Sequence, residues 1–194
     1  MQRVSMVAVI ALVLVGCSMG SGDAGAGVTC ETSFWNGTVG ACLPSGWNIL
    51  SSDDLRTLGV AEETVAAFQS SEARGGQFDT VTVTAEPLTR EMTTSEYSKA
   101  NIQAVGVLPE YALIDKTTVY IDGNETAIHV FKARPSPDAP IRRYYQLSGS
   151  SNRIGYTFTA AYPLTIQDSQ EKEVLSLLKS ATFRSAASNG SAQE

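Results

Sequence analysis

Alternation between apolar and polar positions is strongest between residues 117 and 162, where it predicts two consecutive β-hairpins. The first pairs residues 117–121 with residues 126–132 through Asp122-Gly123-Asn124-Glu125, and Asp-Gly and Gly-Asn tolerate the positive φ angles of tight turns. The second pairs residues 141–147 with residues 154–162 through a polar segment at 148–153. All four segments are rich in Val, Ile, Thr, Tyr or Phe, so we place the centre of an antiparallel sheet here.

The same pattern predicts which side chains share a face of this sheet. In the second hairpin, pairing Leu147 with Ile154 places Tyr145 opposite Tyr156. In the first hairpin, a two-residue turn gives two faces that are both largely apolar, which indicates cover by helices on both sides. One face carries Val119, Ile121, Thr126, Ile128 and Val130, and the other carries Tyr120, Ala127, His129 and Phe131.

Helical segments are predicted on either side of the hairpins. Residues 51–54 offer N-cap side chains to a short helix that ends near Gly59, and residues 61–68 favour a second short helix with Val65 and Phe68 inward. Residues 78–88 alternate as a strand, and Thr93 and Glu96 have capping-box spacing before a helix at 95–105, with Ile102 and Val105 as core residues. Residues 171–181 are amphipathic at helical spacing, behind a cap pair of Asp168 and Glu171. The predicted fold class is therefore α+β, an antiparallel β-sheet flanked by helices on both faces.

Composition and charge fit one globular domain at residues 30–184. The chain has 194 residues, of which 43% are hydrophobic and 18% charged, and a domain of about 150 residues buries enough surface for one core. The formal net charge of −6 makes nucleic acid an unfavourable partner. No run reaches 18 apolar residues, the length typical of a helix that spans a bilayer.

The N-terminus has the pattern of an export sequence. Arg3 precedes an apolar run at 6–15, which has the length of a signal-peptide core. The run ends in Leu14-Val15-Gly16-Cys17, which resembles a bacterial lipobox and implies cleavage before a diacylglycerol-bearing Cys17. We expect a lipoprotein signal peptide at 1–16, a flexible tether at 17–29 and a disordered tail at 185–194. The alternative is an ordinary secretory signal in which Cys17 occurs by chance.

Two further cysteines, Cys30 and Cys42, flank a segment that contains the hairpin signal Asn36-Gly37. In an exported chain such a pair predicts a disulfide, because the turn brings the two strands together. The alternative is a redox or metal pair, although no second Cys/His cluster accompanies it.

The sequence contains no recognisable catalytic, metal-binding or cofactor-binding set. His129 is the only histidine, and its place between Tyr120 and Phe131 in strand parity favours a hydrogen-bonded structural role. A metal site would need further His or free thiolate ligands. We therefore expect no catalytic residues, no metal ligands and no cofactor.

A basic stretch between residues 132 and 153 is the one local charge feature. Arg and Tyr side chains are common at interfaces, so this stretch could dock an acidic partner or an anionic head group. The alternative is a set of solvated charges at strand ends that discourage edge pairing. Arg142 and Arg143 point to opposite faces, so the candidate docking patch consists of Lys132, Arg134, Arg142, Tyr144 and Arg153.

The order of these features resembles the PsbP-like superfamily, with its bacterial DcrB-type and LpqN-type lipoproteins. The resemblance rests on the lipobox, on Pro44, Gly46 and Trp47, on a strand and a helix near residue 100, on Gly123 in the meander, and on Thr182-Phe183 after the last helix. It covers residues 32–184 and implies an α/β/α sandwich. The superfamily shares no catalytic set, so it assigns no site residue, and its members mostly bind or assist other proteins.

Three functions are compatible with these features. The first is a lipid-anchored, non-enzymatic protein-binding or assembly module on the extracytoplasmic side of the bacterial cell envelope, with the membrane and an envelope protein as partners. The second is a carrier of a small or lipidic ligand between sheet and helix, which calls for an apolar cavity of roughly 300 Å³ or more. The third is a small hydrolase, which calls for a cleft with convergent polar groups and shifted pKa values.

Overall fold

The structure, a computed structural model, describes residues 30–74 and 76–184. The predicted signal peptide, the tether with its lipidation site Cys17, and the C-terminal tail lie outside the described residues.

A seven-stranded antiparallel sheet with the order β3-β4-β5-β9-β8-β7-β6 forms the centre of the domain, and a two-stranded sheet of β1 and β2 accompanies it. The predicted α+β class with its large antiparallel sheet is confirmed. The elements in chain order are β1 (Thr32–Trp35), β2 (Gly40–Leu43), β3 (Trp47–Ile49), α1 (Ser52–Leu58), β4 (Thr64–Arg74), β5 (Gln77–Pro87), α2 (Thr94–Val105), β6 (Ala112–Ile121), β7 (Asn124–Ala133), β8 (Arg142–Ser151), β9 (Ile154–Tyr162) and α3 (Asp168–Lys179).

One face of the large sheet carries the apolar core. Val174, Leu177 and Leu178 of α3 are fully buried against alternate residues of the central strands, such as Phe158 and Leu147. The β1–β2 hairpin closes the remainder of this face with Val39, Ala41 and Leu43, and Phe34 packs edge-on against Phe68. Trp47 is buried in the same core.

The opposite face is covered in part by α2. Tyr97 and Asn101 of this helix hydrogen-bond the Thr157 hydroxyl, and Thr157 alternates along β9 with the core residues Tyr156 and Phe158. The helix approaches so closely that a Cβ at Gly155 would collide with the Tyr97 ring. Helices therefore lie on both faces of the sheet, as predicted.

The β8–β9 hairpin differs in register from the prediction. Asn152 and Arg153 alone form its turn, with φ angles of 52° and 60°. Leu147 therefore pairs with Phe158 rather than Ile154, and Tyr145 pairs with Ala160 rather than Tyr156. The polar residues predicted as a loop are strand residues, because Gly149 leaves room for the ring of Phe183 and Ser148 hydrogen-bonds Thr157.

Three predictions about the flanking elements are also wrong. The predicted helix at residues 61–68 is the start of β4, in which Phe68 is buried but Val65 is 42% exposed. In α2, Tyr97 and Ser98 are buried, whereas Ile102 and Val105 are only half-buried. The N-cap of α3 is Gln167, whose backbone N–H donates to the Gln170 side chain, rather than a cap pair of Asp168 and Glu171. By contrast, an N-cap within residues 51–54, Ser51, begins α1, and the capping box of Thr93 and Glu96 begins α2, both as predicted.

Candidate functional site

Strand β6 is an edge strand of the large sheet, and the turn after it determines which of its backbone groups are paired. Asp122 and Gly123 have φ angles of 51° and 78°, as a two-residue type I′ turn requires. Such a turn hydrogen-bonds the residues on either side of it, which are Ile121 and Asn124 in the observed register. The ladder between β6 and β7 therefore begins with a hydrogen-bonded pair.

Hydrogen-bonded and non-hydrogen-bonded pairs alternate along an antiparallel ladder. Thr117 and Val119, which pair with Ile128 and Thr126, therefore bond inward to β7. The intervening residues direct their backbone N–H and C=O groups away from the sheet. These residues are Lys116, Thr118 and Tyr120.

The side chains of β6 are unusually apolar for an exposed edge. Tyr120 is 70% exposed, Leu113 is 55% exposed and Ile114 is 43% exposed. Ile114 is the extra residue of a β-bulge, since Leu113 pairs with Phe131 while Asp115 pairs with Val130. We use the name β6 edge for Leu113, Ile114, Lys116, Thr118 and Tyr120. An exposed edge of this length is a template on which another strand can pair.

An aromatic stack supports β6 from the neighbouring strand β7. The His129 ring stacks on Phe131 at a centroid distance of 4.7 Å, and Phe131 stacks on Tyr144 at 5.1 Å. His129 Nε2 lies 3.0 Å from the Tyr111 hydroxyl, and His129 is almost fully buried. Burial, assisted by the charge of Lys116, lowers the pKa of His129. His129 is thus a neutral, hydrogen-bonded component of the packing, as the sequence predicts.

The residues of the predicted basic patch do not form one surface. Lys132 pairs with Arg143, so it lies on the opposite face from Arg142. Arg134 bonds Glu110 and the Ala139 carbonyl. Arg153 lies in the β8–β9 turn, at the far end of the hairpin from Arg142.

The predicted pairing of Cys30 with Cys42 is present. Cys30 and Cys42 form a disulfide with a Cα–Cα distance of 5.4 Å, beside the β1–β2 hairpin. Within residues 30–74 and 76–184, His, Cys, Asp and Glu side chains form no group of three that could hold a metal ion. None of the helices in these ranges is long and apolar enough to cross a membrane.

A polar cleft lies between the start of α3, the start of β5 and the end of β9. Its volume is about 440 Å³, and we call it the α3 cleft. Gln170 donates to both carboxylate oxygens of Asp79 at 2.9 and 3.0 Å, and Arg74 lies between Asp79 and Glu173 at 3.3 and 3.0 Å. The lining residues are Arg74, Gln77, Phe78, Asp79, Ala161, Tyr162, Pro163, Thr165, Ile166, Gln167 and Gln170.

A second groove of about 420 Å³ lies between α2 and the sheet. Its lining combines polar and apolar groups, with Glu86, Asn101 and Thr157 around the Tyr97 hydroxyl. Burial raises the pKa of Tyr97 to about 12, helped by its hydrogen bond to Glu86. A lipid carrier calls for a predominantly apolar lining, whereas polar and apolar groups contribute to a similar extent here. Sequence reasoning identified neither the β6 edge nor the α3 cleft as a site.

Comparison with known proteins shows the fold. No protein-family model and no curated protein sequence matches the chain. Among solved structures, the chain is similar to cyanobacterial PsbP from Synechocystis, with a TM-score of 0.53 and 13% identity over 86% of this chain and 99% of that one. It is also similar to LpqN, a protein involved in cell envelope biogenesis of Mycobacterium tuberculosis, with a TM-score of 0.49 and 9% identity over 74% of this chain and 82% of that one. The chain has the PsbP-like fold.

Proposed function

We propose that the chain is an exported, lipid-anchored, non-enzymatic binding module that pairs with an extended segment of an envelope protein. The observation that carries this proposal is the β6 edge. Its outward backbone groups at Lys116, Thr118 and Tyr120 offer main-chain hydrogen bonds to an added strand. Its exposed Leu113 and Tyr120 offer apolar contacts that give such a strand a preferred register.

Two further observations support the part of the proposal that concerns export and membrane anchoring. The Cys30–Cys42 disulfide is typical of proteins outside the reducing cytosol. The lipobox-like Leu14-Val15-Gly16-Cys17 supplies the attachment point for a lipid on the extracytoplasmic side of the bacterial envelope. A diacylglycerol-bearing cysteine buries two acyl chains, which gives stable anchoring where one chain is marginal.

Affinity capture after cross-linking in intact cells tests the binding role. Leu113→Lys places a charge on the β6 edge, whereas Leu58→Lys is a matched control because Leu58 is 54% exposed on α1, which follows the opposite edge strand. We expect one partner with the unaltered chain and with Leu58→Lys, and at least about a tenfold lower yield with Leu113→Lys. Equal recovery with both variants would contradict a docking role for this edge.

Membrane fractionation tests the anchor separately. Cys17→Ser removes the lipid attachment point, so the protein should move from the membrane fraction to the soluble extracytoplasmic fraction. If Cys17 were a chance residue behind an ordinary secretory signal, the wild-type chain would already be soluble. A fatty-acid label retained by Cys17→Ser would also count against attachment at this position.

A further inference from the structure

The charged side chains of the α3 cleft are paired with one another and leave an excess of negative charge. Arg74 makes two contacts with Glu173, at 3.0 and 3.3 Å, and one with Asp79. Asp79 also receives both Gln170 bonds, and Trp47 donates to Glu173 at 3.2 Å. The guanidinium of Arg74 therefore faces the two carboxylates of Asp79 and Glu173, and each of the three groups has a hydrogen-bond partner. The network leaves no uncompensated positive charge for an anion.

The Tyr162 hydroxyl is the exception to this pairing. Tyr162 is 1% exposed and lines the cleft, yet its hydroxyl has no hydrogen-bond partner within residues 30–74 and 76–184. Burial raises the pKa of Tyr162, and the carboxylates of Asp79 and Glu173 raise it further. The hydroxyl therefore keeps its proton, and a buried donor without an acceptor is costly to the free protein.

The acceptor that would satisfy Tyr162 must suit its negative surroundings. An anionic oxygen would be repelled by Asp79 and Glu173. An ammonium group would contact the carboxylates but could not accept the Tyr162 proton. A neutral hydroxyl group can accept from Tyr162 and donate to a neighbouring carboxylate at the same time.

The outer wall of the cleft points to the same ligand chemistry. Gln77, Thr165 and Gln167 bring amide and hydroxyl groups to the opening, while the 51% exposed ring of Phe78 offers an apolar surface. A volume of about 440 Å³ is within the usual range for small-molecule sites. We infer that the α3 cleft binds a neutral polyhydroxylated molecule of sugar type, with Tyr162 as the donor to one of its hydroxyl oxygens.

This inference does not depend on the β6 edge, and Tyr162→Phe tests it. The substitution removes only the unpartnered hydroxyl, so the melting temperature of the full chain should stay the same or rise. Tyr156→Phe is a matched control, since Tyr156 is buried on the same face of β9 but packs against Phe183 instead. The probes are glucose, trehalose and N-acetylglucosamine, with methylammonium and inorganic phosphate as charged comparisons.

Isothermal titration should detect binding of at least one of the sugars with a Kd below about 10 mM. Tyr162→Phe should raise this Kd at least about tenfold, while Tyr156→Phe should leave it unchanged. Phe78→Ala, a change at an exposed side chain, should lower the affinity for the same sugar without lowering the melting temperature. Binding of methylammonium or phosphate in place of a sugar would overturn the inference. So would the absence of sugar binding, equal binding by Tyr162→Phe, or a melting temperature lowered by that substitution alone.

Discussion

The two edges of the large sheet differ in length and exposure. β3 has only three residues, and its Trp47 is buried in the core, so few backbone groups are available at that edge. β6 has ten residues, and all but three of them are largely exposed. Short strands protect an edge against unwanted pairing. The contrast indicates that one edge is closed by its length while the other remains available for a partner.

Proline substitution should break this comparison most severely. Thr117→Pro removes an N–H that bonds to β7 and leaves a carbonyl of β7 without its partner, so it should lower the free energy of unfolding strongly. Thr118→Pro removes an outward N–H, so it should be far better tolerated while abolishing partner capture. Urea unfolding of both variants checks the prediction. Equal destabilisation would show that the two positions do not differ in their pairing.

The disulfide tests a part of the domain outside the β6 edge. Replacing both Cys30 and Cys42 with Ala should lower the free energy of unfolding by about 3 kcal/mol, because the unfolded chain loses its cross-link. Partner capture through the β6 edge should remain intact under conditions where the variant is folded. Thermal melting with and without a reducing agent measures the first effect. Loss of capture in a folded variant would place the binding surface near the β1–β2 hairpin instead.

Asp122 sharpens the comparison because it fixes the end of the β6–β7 hairpin. Its carboxylate accepts from the Thr182 hydroxyl, from the Phe183 amide at 2.7 Å and from Arg184 at 2.8 Å. Asp122→Ala should cost about 1–3 kcal/mol, whereas Asp122→Asn keeps part of the hydrogen bonding and should cost less. Chemical denaturation of both variants gives the difference. Equal stability of Asp122→Ala and the wild type would show that these bonds contribute nothing net.

His129 gives the smallest expected effect, a dependence of stability on pH. Its pKa is lowered in the folded chain from an ordinary value of 6.5, so below that value the unfolded chain binds a proton that the native chain excludes. The free energy of unfolding should therefore fall as the pH decreases from 7 through 6.5 to the folded pKa. His129 is the only histidine, so His129→Gln should flatten the profile between pH 7 and 5. An unchanged slope would assign the effect to other groups.

The elements that the sequence predicts correctly have local causes. The capping boxes of α1 and α2, the Asp122-Gly123 turn and the Asn36-Gly37 turn of the β1–β2 hairpin each depend on residues within four positions of one another. The sequence predicts a helix at residues 61–68 because this segment contains Ala and Glu, which are good helix formers, although the pairing of β4 with β5 determines the outcome. The β8–β9 register depends on Phe183, which lies 34 residues after Gly149.

The sites depend even more on distant parts of the chain. Arg74 meets Glu173 across 99 residues, and Asp79 meets Gln170 across 91, so no spacing in the sequence indicates the α3 cleft. Strand order, which makes β6 an edge, also follows from the packing of the whole sheet. The charged pair Asp115-Lys116 within β6 is the one local indication of an edge.

Hydrogen–deuterium exchange of the β6 amides, measured with the purified chain alone and with its captured partner, tests the central claim most directly. The free chain should show fast exchange at Lys116, Thr118 and Tyr120 and slow exchange at Thr117 and Val119. Partner binding should slow exchange at the three fast positions and change the other two little. Unchanged exchange at Lys116, Thr118 and Tyr120 in the complex would contradict strand addition at the β6 edge.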